Sequence, residues 1–327
     1  METSFSRIPQ VLLPKEILDK CFRRGKKVEM AKHPDRVAAV RNWDIAKLKA
    51  MEKCAKETLE RYLKGFPDLR TLDRFHRELF SVLVDENAYR RALGSVKWAR
   101  DSIVKITTST VKSLERTRDT DEFSRIMNSY FGRFSSFIDQ IGDDLEFLRE
   151  SRKSLVNIPD IKTEVYTIVV AGFPNVGKSE LVKAISTGKP EVAPYPFTTK
   201  GIYVGHMVIG NESVQVVDTP GLLDRRLEER NRMERQAIVA LRYLADLVLF
   251  VLDPSETCGY RLDMQLSLLE EVRRFLEKDM IVVENKMDIF VRDSEYLKIS
   301  AKERINLDLL IKEIEKKVTG DGKDRNT

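Results

Sequence analysis

Apolar residues recur along the first half of the chain at steps of three and four. Phe123, Ile126, Tyr130, Phe134, Phe137, Ile141, Leu145 and Leu148 form one such run. That spacing puts them on one helical face, so residues 121–150 are expected to make a single long amphipathic helix. Ile45, Leu48, Met51, Ala55, Leu59 and Tyr62 set out a second stripe. Leu72, Phe75, Leu79 and Val82 give a third, and Leu93, Val96, Ile103 and Ile106 a fourth. Pro14 ahead of Ile17, Leu18 and Phe22 opens a shorter helix, because proline suits a first helical turn. Four or five helices with short breaks, one at Gly65-Phe-Pro67, predict an antiparallel helical bundle over residues 1–155. The aromatic stripe reads as its core.

The pattern then changes. Residues 156–163, with Pro159, read as a linker. Across 164–318, short β-branched runs at 165–171, 202–209, 214–217, 280–283 and 296–299 alternate with helical stretches. That alternation predicts an α/β domain with a doubly wound, mainly parallel sheet. Residues 319–327 are polar and are expected to be a disordered tail.

Chemistry gathers in the second half. Gly172-Phe-Pro-Asn-Val-Gly-Lys-Ser179 fits the phosphate-loop pattern and lies between an expected strand and a helix start at Leu181. Backbone N–H groups at that helix N-terminus can bind a phosphate chain lined by Gly172, Phe173, Pro174, Asn175, Val176, Gly177, Lys178, Ser179 and Glu180. Lys178 should reach the terminal phosphates and serve the reaction, and the Ser179 hydroxyl should ligate Mg²⁺. Asp218-Thr-Pro-Gly221 ends another apolar run. Its Asp218 can hold a Mg²⁺-bound water, and the Gly221 N–H can meet a γ-phosphate. Thr199, preferred over Thr198 because it sits nearer the next strand, is expected to close on the metal.

Asn285-Lys-Met-Asp288 selects the base. The Asp288 carboxylate can accept from the guanine N1–H and 2-amino groups, a donor pair that adenine lacks. Asn285 should buttress the loops, and the Lys286 stem should cover the base. In Ser300-Ala-Lys302, the Ala301 N–H is expected to reach the guanine carbonyl oxygen. Together these motifs describe a site for GTP or GDP with Mg²⁺, and hydrolysis of GTP as the reaction. Leu222 follows Gly221 where many signalling GTPases have a water-orienting glutamine, so slow unaided turnover is expected.

Composition and charge refine the picture. The chain has 327 residues, enough for two domains. No run approaches the roughly 20 apolar residues of a membrane span, and the opening seven residues carry no signal-peptide core. Cys21, Cys54 and Cys258 are scattered, which suits a reducing compartment and no disulfide framework. His33, His76 and His206 form no metal cluster. Residues 1–155 hold 32 basic and 24 acidic side chains, a balance of +8, whereas the rest holds 25 against 28, a balance of −3. A basic helical half favours a polyanionic partner. Arg7, Lys15, Arg23, Arg24, Lys26 and Lys27, with Phe22 and Met30 among them, are the candidate RNA-facing cluster.

These residues also resemble known families. A G-x-P-N-x-G-K-S loop with a hydrophobic residue after D-x-x-G is similar to potassium-activated GTPases, which implies K⁺ binding through Asn175. With Tyr195-Pro-Phe-Thr-Thr199, the loop resembles the Obg branch of translation-factor GTPases. The helical first half, the run from Asn231 to Leu241 and Asp253-Pro-Ser-Glu-Thr-Cys-Gly-Tyr260 resemble its Nog subfamily, in a short, archaeal-type form. The resemblance implies a P-loop GTPase domain with the strand at 202–209 antiparallel at a sheet edge. It further implies assembly of the large ribosomal subunit, with rRNA and the subunit precursor as partners, in the cytoplasm. Expected too are a monomer and no DNA or membrane partner. The alternative is a signalling switch whose helical domain binds a protein partner; no lipidation motif or membrane-facing helix favours it.

Overall fold

The computed structural model describes residues 5–158, 161–193, 195, 201–221, 223 and 232–321. Thr198, Thr199, Leu222, Pro159 and Asn231 lie outside them. The chain divides into two compact units. One comprises Met1–Asp68 with Leu83–Val156, the other Leu69–Val82 with Asn157–Thr327.

The helices of the first half are α1 (Pro14–Lys26), α2 (Arg36–Gly65), α3 (Arg74–Leu83), α4 (Glu86–Arg116), α5 (Thr120–Asp139) and α6 (Gly142–Leu155). Three of them, α2, α4 and α5, start on aspartates. Asp35 accepts from the Val37 and Ala38 N–H groups at 2.8 and 3.3 Å, Asp85 from Ala88 at 2.6 Å and Asp119 from Asp121 at 2.9 Å. Each such cap stabilises its helix by about 1 kcal/mol. In the first unit α4 packs on α2, α5 and α6, and α2 also packs on α1. Leu48, Leu59, Val96, Ile103, Phe134 and Leu145 are fully buried there. Buried tyrosines bring partners for their hydroxyls, as aromatic side chains with a polar tip require. Tyr62 Oη accepts from the Leu12 N–H at 2.9 Å, Tyr89 Oη donates to the Pro67 carbonyl at 2.8 Å, and Tyr130 Oη meets Thr107 Oγ1 at 3.0 Å.

Three expectations need correction here. The stripe at 121–150 belongs to two helices, not one: α5 ends at Asp139 and α6 begins at Gly142. Gly142 costs about 1 kcal/mol in a helix interior, while Asp143 and Asp144 favour a fresh helix N-terminus. The third stripe forms α3, but Leu69–Val82 group with the second unit rather than with the bundle. Phe22 is half-buried and sits edge-on to Phe134, with ring centroids 6.0 Å apart, so packing occupies it.

The second unit is the expected P-loop α/β fold. Its elements are β1 (Tyr166–Ala171), α7 (Lys178–Ile185), β2 (Glu191–Ala193), β3 (Ile202–Ile209), β4 (Glu212–Asp218), α8 (Arg232–Leu244), β5 (Leu247–Leu252), α9 (Leu262–Leu276), β6 (Asp279–Glu284), β7 (Leu297–Lys298) and α10 (Leu307–Asp321). The sheet order is β2-β3-β4-β1-β5-β6-β7. Strands β4, β1, β5, β6 and β7 run parallel, and β3 is antiparallel to β4. Every residue of β1 and β5 is buried, which is why both read as unbroken apolar runs. The antiparallel β3 is not the edge, because β2 pairs beyond it. A three-residue strand of mixed polarity gives almost no periodic signal in the sequence. Residues 319–321, expected in a tail, belong to α10, which runs to Asp321, and 322–327 lie outside the described residues.

Candidate functional site

Two loops leave the carboxyl ends of parallel strands on either side of β5 and meet. The first follows β1 and ends as the N-terminus of α7. Gly172 has φ +137°, and a Cβ there would lie 2.4 Å from the Val251 carbonyl oxygen. Gly177 has φ +100° and caps α7, and a Cβ there would lie 2.2 Å from Asn285 Nδ2. Both positions therefore demand glycine twice over, by backbone angle and by space. Asn175 adopts φ +62°, uncommon for a residue with a side chain. Lys178 is buried, and its ammonium donates to the Gly172 and Phe173 carbonyls, both at 2.8 Å. Glu180 is exposed in the first turn of α7.

Asp218 ends β4 fully buried and accepts a hydrogen bond from Ser179 Oγ. A carboxylate and a hydroxyl, side by side at a helix N-terminus, are hard oxygen donors of the kind Mg²⁺ takes. Gly221 follows with φ +82°.

The second loop follows β6. Asn285 holds the two loops together: its Nδ2 donates to the Val176 carbonyl at 2.8 Å, and its Oδ1 accepts from the Ala301 N–H at 2.9 Å. The second bond corrects an expectation, because the Ala301 N–H is directed to Asn285 and not outward. Ser300 is buried and its Oγ accepts from the Glu303 N–H at 3.1 Å. Asp288 and Lys302 are exposed beside it.

Lys286 has φ +63° and its ammonium donates to Asp253 Oδ2 at 2.6 Å and Thr257 Oγ1 at 2.9 Å. Burial alone would raise the Asp253 carboxyl. Lys286, Ser255 and the Cys258 N–H outweigh it and hold that carboxyl below its usual range. Tyr260, at the far end of the same loop, packs on Phe173 with ring centroids 4.4 Å apart. In the sequence, 253–260 stands out only as a family signature. Its signal was local: an aspartate at a strand end, followed by serine and threonine two and four residues on, is a side-chain-capped turn.

Known proteins place the chain. The NOG1 N-terminal helical domain description matches residues 5–162, and the nucleolar GTP-binding protein 1 (NOG1) description matches 232–288. The chain belongs to the NOG1 family. An uncharacterized protein of Methanocaldococcus jannaschii is 37% identical to this NOG1-family chain over 87% of its length and 81% of that protein. Nucleolar GTP-binding protein 1 of Encephalitozoon cuniculi is 33% identical over 94% of this chain and 61% of its own length. That of Saccharomyces cerevisiae is 32% identical over 88% of this chain and 45% of its own. The chain thus spans about half the length of its fungal relatives. Among solved structures, a protein described as nucleolar GTP-binding protein 1 from Plasmodium falciparum is 26% identical over 52% of this chain and 95% of that one. Its TM-score of 0.44 is too low to carry argument.

Proposed function

We propose that this NOG1-family chain is a GTPase that binds GTP with Mg²⁺ and acts in assembling the large ribosomal subunit through contacts with rRNA. The observation that carries the nucleotide half is Asn285, which joins the phosphate loop to the base-reading segment by hydrogen bonds at 2.8 and 2.9 Å. Ser179 and Thr199 would ligate the metal and Asp218 would hold a water bound to it; Lys178 and the Gly221 N–H would stabilise charge on the γ-phosphate. Asp288 selects guanine, and Lys302 completes the base-side wall. Asn175, already in an unusual backbone conformation, presents its amide for K⁺ beside the phosphates.

The ribosomal half rests on family membership, on the printed nucleolar names of relatives and on the positive balance of residues 1–155. Arg23, Arg24 and Lys26 are exposed in the last turn of α1 and offer phosphate contacts. No helix among the described residues is long and apolar enough to cross a membrane. We place the chain in the cytoplasm as a monomer.

Calorimetry with GTP, ATP and xanthosine triphosphate tests the site. Asp288→Asn should lose GTP affinity by at least about tenfold and turn preference to xanthosine triphosphate, whose 2-oxo group accepts from an amide. Undiminished GTP preference removes Asp288 from the site. Turnover should be slow and should rise in potassium over sodium buffer; equal rates remove K⁺ from Asn175. Large-subunit particles should retain the chain at low salt and release it as salt rises.

A further inference from the structure

Asp253 is fully buried at the end of β5, outside every nucleotide motif. Its carboxylate is crowded with donors. Oδ1 accepts from the Ser255 N–H at 3.1 Å and from the Ser255 hydroxyl. Oδ2 accepts from the Cys258 N–H at 2.8 Å, Thr257 Oγ1 at 3.1 Å and Lys286 Nζ at 2.6 Å. Gln265, also fully buried on α9, clamps the loop from behind. Its Oε1 accepts from the Asp253 N–H at 2.8 Å, and its Nε2 donates to the Asp253 and Tyr260 carbonyls at 3.0 and 2.9 Å. Glu256 takes φ +56° and Gly259 φ +90°, so the turn is tightly specified.

A buried carboxylate with this many partners organises whatever it holds. Two of its dependants belong to the nucleotide loops: Lys286 directly, and Phe173 through Tyr260. We propose that Asp253 is a positioning residue of the guanine site. It fixes the turn at 253–260, and that turn sets the Lys286 stem against the base plane. Asp253 itself touches no nucleotide. The inference rests on reading 285–288 as the base-recognition segment.

If Asp253 acts through Lys286, the two substitutions must not add. Fluorescence titration of a labelled GDP would use the full chain, Asp253→Asn, Lys286→Met and the double variant. Asparagine keeps the shape and one acceptor but loses the ion pair. Asp253→Asn should weaken GDP binding by about tenfold, as expected for one charge-assisted hydrogen bond. In the Lys286→Met background the same change should alter affinity by less than about twofold. Unchanged affinity in Asp253→Asn overturns the proposal. Losses that add across the two backgrounds overturn it too, because they mark Asp253 as a fold residue alone. Should Asp253→Asn lose its melting transition, the exposed Thr257→Val takes its place in the cycle. It should weaken binding about threefold, and only when Lys286 is present; no loss, or the same loss without Lys286, overturns the proposal. A wild-type chain that ignores GDP sinks the nucleotide reading itself, and that arm is read separately.

Discussion

Gly177 shows what a single residue decides at this site. Its φ of +100° costs nothing for glycine, and the absent Cβ leaves room for Asn285 Nδ2, which would otherwise stand 2.2 Å away. Gly177→Ala should therefore do two things. It should store about 1–3 kcal/mol of backbone strain, and it should push Asn285 off Val176 and Ala301. Calorimetry should show GDP affinity reduced by more than about tenfold, with a lower melting temperature. Wild-type affinity would mean that the two loops bind independently. Gly177 and Lys178 were legible in the sequence because a phosphate loop is local: strand, loop and helix start lie within a few residues. The partners of Asn285 and Ala301 were not, since 109 residues separate Asn285 from Val176. Spacing names the participants but not which of them meet: the Ala301 N–H, expected at the base, donates to Asn285.

At the scale of elements, helices were easier to read than the cores they join. The stripe of Phe75 and Leu79, capped by Asp73, marks α3 plainly. Asp73 Oδ1 accepts from the His76 N–H at 3.0 Å and its Oδ2 meets His76 Nδ1 at 2.6 Å. Helical periodicity says that a face is buried, never against what. Here the face turns to the second unit: the Phe75 ring lies 6.5 Å from that of Tyr195, and the Arg74 guanidinium 6.0 Å from the Tyr243 ring. Tyr195 stands three residues before Thr198 in the sequence. Phe75, Leu79 and Phe80 are fully buried. Phe75→Ala should thus cost about 3–5 kcal/mol, and the loss should fall on the sheet. Hydrogen exchange should speed up in β1 and β5 while α2 and α4 keep their protection. Faster exchange in α2 and α4 alone would return α3 to the bundle.

For the whole molecule, the consequence is that the nucleotide-binding unit is not continuous in sequence. A boundary near residue 156 was legible from the switch between helical and alternating periods, and Val156 does end the first unit. The excursion at 69–82 was not, because nothing local distinguishes a helix that stays with its neighbours from one that leaves them. A fragment beginning at Asn157 keeps every nucleotide motif but lacks α3, and so takes the Phe75 ring away from the buried Tyr195. It should melt well below the second unit of the full chain and bind a dye for exposed apolar surface. A peptide of residues 69–83, added in excess, binds the folded fragment and not the unfolded one, so it should raise the melting temperature with concentration. The Phe75→Ala version of that peptide should raise it less. A fragment as stable as the intact unit, and indifferent to the peptide, would show that α3 rests on this fold without supporting it, and the unit could then be cut at Asn157 without loss.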